Sequence, residues 1–252
     1  MSLQATITTS WDDGHPLDYR LAEMLVANNL RATFYIPRTS QNQTMPAAQV
    51  RELSNHFEIG AHTVDHVFLD TATDQQAEAQ IRDSKAWVED ATGKPCPMFC
   101  PPAGKFNHNH LRMMEEAGYE GVRSVEFFSF DAPRKQGRLL MMPTTLQANP
   151  NGLLSYARNI ARRMAWRNLW LYIRHGHSGD WQTLAISLLN AFHQQGGVFH
   201  LWGHSWELEE QCQWDRLAHV LKLLGECARE CQALTNGEIC AAMSGRTLAA
   251  AE

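Results

Sequence analysis

Short apolar runs alternate with helix-period patterns from one end of the chain to the other. ATITTS (5–10) reads as a strand, and 17–29 as an amphipathic helix with apolar positions at 21, 24 and 25. RATFYI (31–36) is a strand closed by Pro37, and AAQVRELS a short helix before the strand 56–62. A long polar-faced helix over 74–93 stops at Gly93, a residue that readily takes the left-handed C-terminal position. PMFCPP (97–102) reads as a strand cut off by two prolines, NHNHLRMMEEAG as a helix and YEGVRS as a strand. Beyond a less regular stretch, 126–150, the pattern predicts a helix over 152–166 and a strand over 169–175. It continues with a helix over 181–195, a strand over 198–204 and a helix over 214–230. Strand–helix alternation of this length implies a mainly parallel sheet covered by helices. With no linker or repeat to divide it, the expected architecture is a single domain over 1–252. Its expected fold is a distorted or incomplete (β/α) barrel.

Composition narrows what such a barrel does. The 252 residues are 44% hydrophobic and 19% charged, with a net charge of -5. No basic field draws nucleic acid or an anionic membrane surface, so neither is an expected partner. No 18-residue apolar run spans a bilayer, and MSLQATITTSWDDG lacks the basic and apolar regions of a secretory signal. A cytoplasmic address is expected unless a leader precedes this start. The six cysteines include no C-x-x-C pair, which argues against a zinc ribbon. Cys227 and Cys231, four apart, read as small buried residues. Nothing in the helical faces decides for or against a homo-oligomer.

Three polar clusters follow predicted strands, where barrels of this kind carry their chemistry. In Ser10-Trp11-Asp12-Asp13-Gly14, adjacent carboxylates repel unless a cation separates their roles, one ligating and the other handling protons. In His62-Thr63-Val64-Asp65-His66, two histidines four apart share one side of a helical turn and can converge on an ion. Two imidazoles with a carboxylate suit Zn, and also Co, Ni, Fe or Mn. In the strand VFHLWGH, His200, Trp202 and His204 share one face. His200 reads as a core histidine, and His204, at the strand's end, as a general acid.

Together these clusters resemble the polysaccharide deacetylase family, carbohydrate esterase family 4, over roughly residues 5 to 210. Its T-F-D-D-G motif is matched by residues 10–14, its H-[ST]-x-x-H motif by 62–66, and its R-x-P-x-G motif is echoed by Cys100-Pro101-Pro102-Ala103-Gly104. The resemblance implies metal-dependent removal of an acyl group, most readily N-acetyl from a sugar or small glycoconjugate. Asp13, His62 and His66 would be ligands of one divalent metal, with Asp12 the general base and His204 the general acid. Trp11, Pro101, Pro102, Trp202, His175 and His177 are candidate substrate contacts, and Trp206 also flanks the site.

One departure matters. The family's arginine, which pairs with the base, is here Cys100, so Lys105 or Arg174 is a candidate replacement cation. Glu207 reads as a complement to a helix dipole. Two rival functions stay open: an amidohydrolase acting on a formamide, cyclic imide or ureide, and a metal- or carbohydrate-binding protein that has lost catalysis.

Overall fold

The computed structural model describes residues 4–150, 166–175 and 180–245. Five parallel strands run in chain order: β1 (Thr6–Asp12), β2 (Ala32–Ile36), β3 (Glu58–Ala61), β4 (Met98–Phe99) and β5 (Gly121–Arg123). An edge hairpin follows, β6 (Arg134–Gln136) antiparallel to β7 (Leu139–Met142). β8 (Leu146–Gln147) and β9 (Val198–Gly203) come next, and β10 (Gln232–Ala233) pairs with the start of β1.

The stretch 139–147 closes this sheet. Its first part, β7, pairs with β5, and its last part, β8, pairs with β9, which lies against β1. The sheet thus returns on itself as the expected distorted (β/α) barrel. The stretch 126–150, irregular in sequence, is therefore structural. Its strands are short and interrupted by Pro143, so neither strand alternation nor helix period is legible there.

Helices α1 (Asp18–Ala27), α2 (Ala47–Leu53), α3 (Asp74–Thr92) and α4 (His108–Glu116) cover one side of the wall. They are followed by α5 (Trp166–His175), α6 (Trp181–Gln195), α7 (Ser205–Glu210), α8 (Trp214–Cys227) and α9 (Asn236–Met243). Their starts are written locally. Thr73 and Gln76 form a reciprocal cap on α3, Asn107 and His110 on α4, and Asp180 accepts from the Thr183 backbone N–H on α6. The main apolar cluster lies between wall and helices, and a smaller one inside the barrel holds Tyr35, Met98, Cys100 and Met142. α9 seals the floor of the barrel. Its Ile239 and Cys240 join the inner cluster, and Asn236 bonds to Thr8, Thr33 and Tyr35.

One element is corrected. Residues 169–175 are the end of α5, not a strand. Asn168 and Leu171 are buried while Trp170, Ile173 and Arg174 face out, a helical spacing that an apolar-rich run of this length disguises. The predicted strand end that would have presented His175 and His177 does not exist. His175 ends a helix, and His177, like most of the predicted helix 152–166, lies outside the described residues.

Candidate active site

β1 and the residue after it set two adjacent aspartates against different partners. By strand alternation Ser10 and Asp12 turn inward, where Ser10 meets His200 at 2.8 Å, while Trp11 turns out. The next residue, Asp13, leaves the strand with φ 80, followed by Gly14 at φ 62. A Cβ on Gly14 would come within 2.5 Å of Ile36 Cγ2, so only glycine fits this turn. The turn sets the Asp13 carboxylate beside Asp12 rather than on the far face of the strand.

His62 and His66 reach Asp13 without a helical turn. Thr63 and His66 both have positive φ (61 and 51), which coils the chain back on itself after β3. Gln80 accepts from the Val64 and Asp65 N–H groups, and Asp65 accepts from Gln80 and Thr39, so the loop is tied to α3. His62 Nε2 lies 3.5 Å and His66 Nε2 3.1 Å from Asp13 Oδ1. The His62 Nδ1–H donates to the Cys100 carbonyl at 2.6 Å, because a carbonyl can only accept. That bond leaves His62 Nε2 as the ring nitrogen aimed at the Asp13 carboxylate, an orientation in which imidazole and carboxylate can share one metal ion. These residues therefore fit one divalent ion. Burial alone would raise the Asp13 pKa, but His62, His66 and the charge of His204 hold it well below the carboxylate range. Trp206 donates its indole N–H to the other oxygen, Oδ2, at 2.8 Å and fixes the carboxylate's rotation.

Asp12 has a cation after all. Arg123, at the end of β5 and fully buried, donates from Nη2 to Asp12 Oδ2. The Trp202 ring lies 4.5 Å from its guanidinium and the Tyr35 ring 5.4 Å. Neither expected replacement serves. Lys105 pairs with Asp70 at 3.6 Å, and Arg174 lies over Trp170. YEGVRS was legible as a strand, but nothing in it marks Arg123 as a partner 111 positions from Asp12.

His204 precedes α7, with Nε2 3.9 Å from Asp12 Oδ2 and Nδ1 2.6 Å from Glu207 Oε2. Burial disfavours the imidazolium, but Glu207, Asp12 and Asp13 outweigh it and raise the pKa to about 9. Glu207 is thus the partner that charges and aims His204, beyond any helix-dipole effect, and Gln147 steadies it at 3.1 Å. His200 is the core histidine the sequence implied. It is bonded to Ser10 and the Pro143 carbonyl and lowered by burial to about 3.

The aromatic candidates fare differently. Trp11 is wholly buried with its N–H on Thr9, a wall residue rather than a substrate platform. Trp202 is 6% exposed and packs on Arg123, so its ring is not an open stacking face either. Pro101 and Pro102 are buried and lead into Ala103 and Gly104, which have φ 54 and 62. Burial pushes the carboxyl of Asp18, at the start of α1 beside this site, well above the usual carboxylate range.

Residues 3–122 match the family model described as polysaccharide deacetylase. The span holds both aspartates and both clustered histidines, stops one residue short of Arg123, and leaves out His204 and Glu207. The chain is 30% identical over 120 residues to the peptidoglycan-N-acetylglucosamine deacetylase of Bacillus cereus, covering 46% of this chain and 54% of that protein. It is 26% identical over 118 residues to YxkH of Bacillus subtilis, assigned as a polysaccharide deacetylase, covering 45% and 42%. The chain thus spans about half the length of these curated relatives. A Mycobacterium smegmatis structure with a polysaccharide deacetylase assignment shares the fold. It superposes at TM-score 0.70 and 14% identity, covering 100% of this chain and 96% of that one. The N-terminal half of the chain is thus similar in sequence to the polysaccharide deacetylase family, and its fold is shared with a solved structure of that assignment.

Proposed function

We propose that the protein is a metal-dependent hydrolase that removes an N-acetyl group from a sugar or small glycoconjugate. The observation that carries this reading is the convergence of His62 Nε2 and His66 Nε2 on one oxygen of Asp13. Asp13, His62 and His66 would hold one divalent ion, with Zn2+ favoured by the nitrogen–oxygen donor set. Such an ion, when bound, polarises the acyl carbonyl and makes water acidic enough to attack at neutral pH.

The chain's own residues do the proton work. Arg123 holds Oδ2 of Asp12 and leaves Oδ1, buried and without a hydrogen-bond partner among the described residues, to take the proton of the attacking water. Arg123 also keeps the carboxylate from turning toward its neighbour Asp13. His204, charged through Glu207, delivers a proton to the departing amine nitrogen as its bond to the acyl carbon breaks. Base and acid stand side by side at strand ends and act in sequence on opposite sides of the same bond.

The test combines elemental analysis with acetate release from N-acetylated sugars, set beside formamides, cyclic imides and ureides. The expected result is about one divalent ion per chain, lost in His62→Ala, with acetate released from the sugars. Full retention of the ion in His62→Ala overturns the site. Turnover of only the other amides overturns the substrate class.

A further inference from the structure

Cys100 is wholly buried where the family resemblance calls for an arginine, and it lies among groups that bind metals. Its sulfur, an Asp12 carboxylate oxygen and a His62 ring nitrogen all lie within 4.8 Å of one another. Asp12 is only 3% exposed, and among the described residues its Oδ1 has no hydrogen-bond partner. An arginine at position 100 would fill this space with a fixed positive charge. A cysteine leaves that space to Arg123, which takes Asp12 Oδ2, and sets a thiol beside Asp12 and His62 as a further metal donor.

We propose that Asp12, His62 and Cys100 form a second metal position, selective for thiophilic cations such as Cd2+. It would overlap the Asp13–His62–His66 position through their shared histidine. Thiolate prefers soft cations, whereas the Asp13 set offers only nitrogen and oxygen, so donor type sorts ions between the two. Binding releases one proton: the Cys100 S–H bond breaks, a sulfur–metal bond forms, and the proton leaves to solvent. The charges close. Asp12, Asp13 and the thiolate bring three negatives, and Arg123 with a divalent ion brings three positives. Burial pushes the Cys100 thiol well above its usual value despite Arg123. The His62 imidazole cannot serve both positions fully. A soft ion here displaces the ion of the other position and engages the Asp12 carboxylate that would take a proton. The inference needs only this donor geometry and stands whether or not the acetyl-sugar reading holds.

Cys212 is exposed and Cys227 and Cys231 are half-buried, so the test uses a background with these three replaced by serine. Titration with Cd2+ should give the ultraviolet thiolate-to-cadmium charge-transfer band at up to one equivalent per chain. The band should survive in His66→Ala and vanish in Cys100→Ser. Cd2+ affinity should fall at least about tenfold in Cys100→Ser, with Zn2+ affinity changed less than about threefold. A band that persists in Cys100→Ser, or one that depends on His66, overturns the proposal. Should Cys100→Ser fail to fold, X-ray absorption of the Cd2+-loaded parent decides the matter. A cadmium–sulfur distance supports the site, and an all nitrogen–oxygen shell refutes it.

Discussion

Asp12 and Arg123 form a buried ion pair, and such pairs are intolerant of losing one member. Arg123→Gln should therefore cost about 3 kcal/mol of stability or more in chemical denaturation. It should also lower kcat at least about tenfold through a misoriented base, with Arg123→Lys restoring part of the rate. Unchanged kcat would show that the pair is only structural. The same geometry reverses an expectation natural from the sequence. With the cysteine taken for a missing charge, Cys100→Arg looks like a repair. With Arg123 already in that space, it forces two guanidinium groups into one dry pocket, so activity and melting temperature should both drop. At the other end of the site, His204 is held charged up to about pH 9. Its raised pKa adds stability that is full below the unfolded value near 6.5 and is lost as pH rises through 9. Activity should fall on the same limb, where the acid loses its proton. In Glu207→Gln that limb should move toward neutral pH in a kcat/KM profile; an unmoved limb would assign it to another group. The aspartates and histidines were legible because their residue types announce metal and proton chemistry. Arg123 and Glu207 were not, since a charge declares its partner only once distant strands are adjacent.

At the scale of elements, the site depends on where strands stop. His62-x-x-x-His66 drew attention as a helical spacing, yet the histidines converge through left-handed residues at Thr63 and His66. The pairing was visible and its cause was not, because positive φ in threonine and histidine leaves no sequence signature. Such conformations cost on the order of 1 kcal/mol each or more and persist where the surroundings hold them, here Gln80 and Asp65. Gly14 is the matching device after β1. Gly14→Ala adds both a left-handed penalty and a clash with Ile36. It should destabilise by about 1–3 kcal/mol and loosen bound metal, as read by denaturation and by metal content after dialysis. Wild-type retention of metal would mean that Asp13 is placed without this turn. α5 shows the reverse failure. An apolar-rich run of seven residues fits strand and helix alike, and only its neighbours decide.

At the scale of the whole molecule, the proposed metal and proton groups gather at one end of the barrel and α9 packs at the other. The alternation of strands and helices made the barrel legible from sequence, but its closure by 139–147 and its floor were not. Both depend on pairings between remote segments. The floor is pH-sensitive in its own right. Burial pushes Glu58 up to about 7 while Thr33 and the Gly237 N–H, both bonded to its carboxylate, pull it down. An acid with a raised folded pKa stabilises fully below about 4.5 and loses that contribution as pH rises through 7. Glu58→Gln should therefore flatten the decline in melting temperature between those values; an identical decline would place its source elsewhere. Among the described residues no helix is long and apolar enough to cross a membrane. In the proposed reaction Asp12 acts on a proton next to a metal held by Asp13, His62 and His66. The most direct measurement is acetate release from N-acetylglucosamine oligomers by metal-loaded wild type and Asp12→Asn, with metal content determined on the same samples. Equal metal content and a rate at least about 100-fold lower in the variant are expected. Equal rates from the two proteins, or no acetate from metal-loaded wild type, would contradict the role given to Asp12.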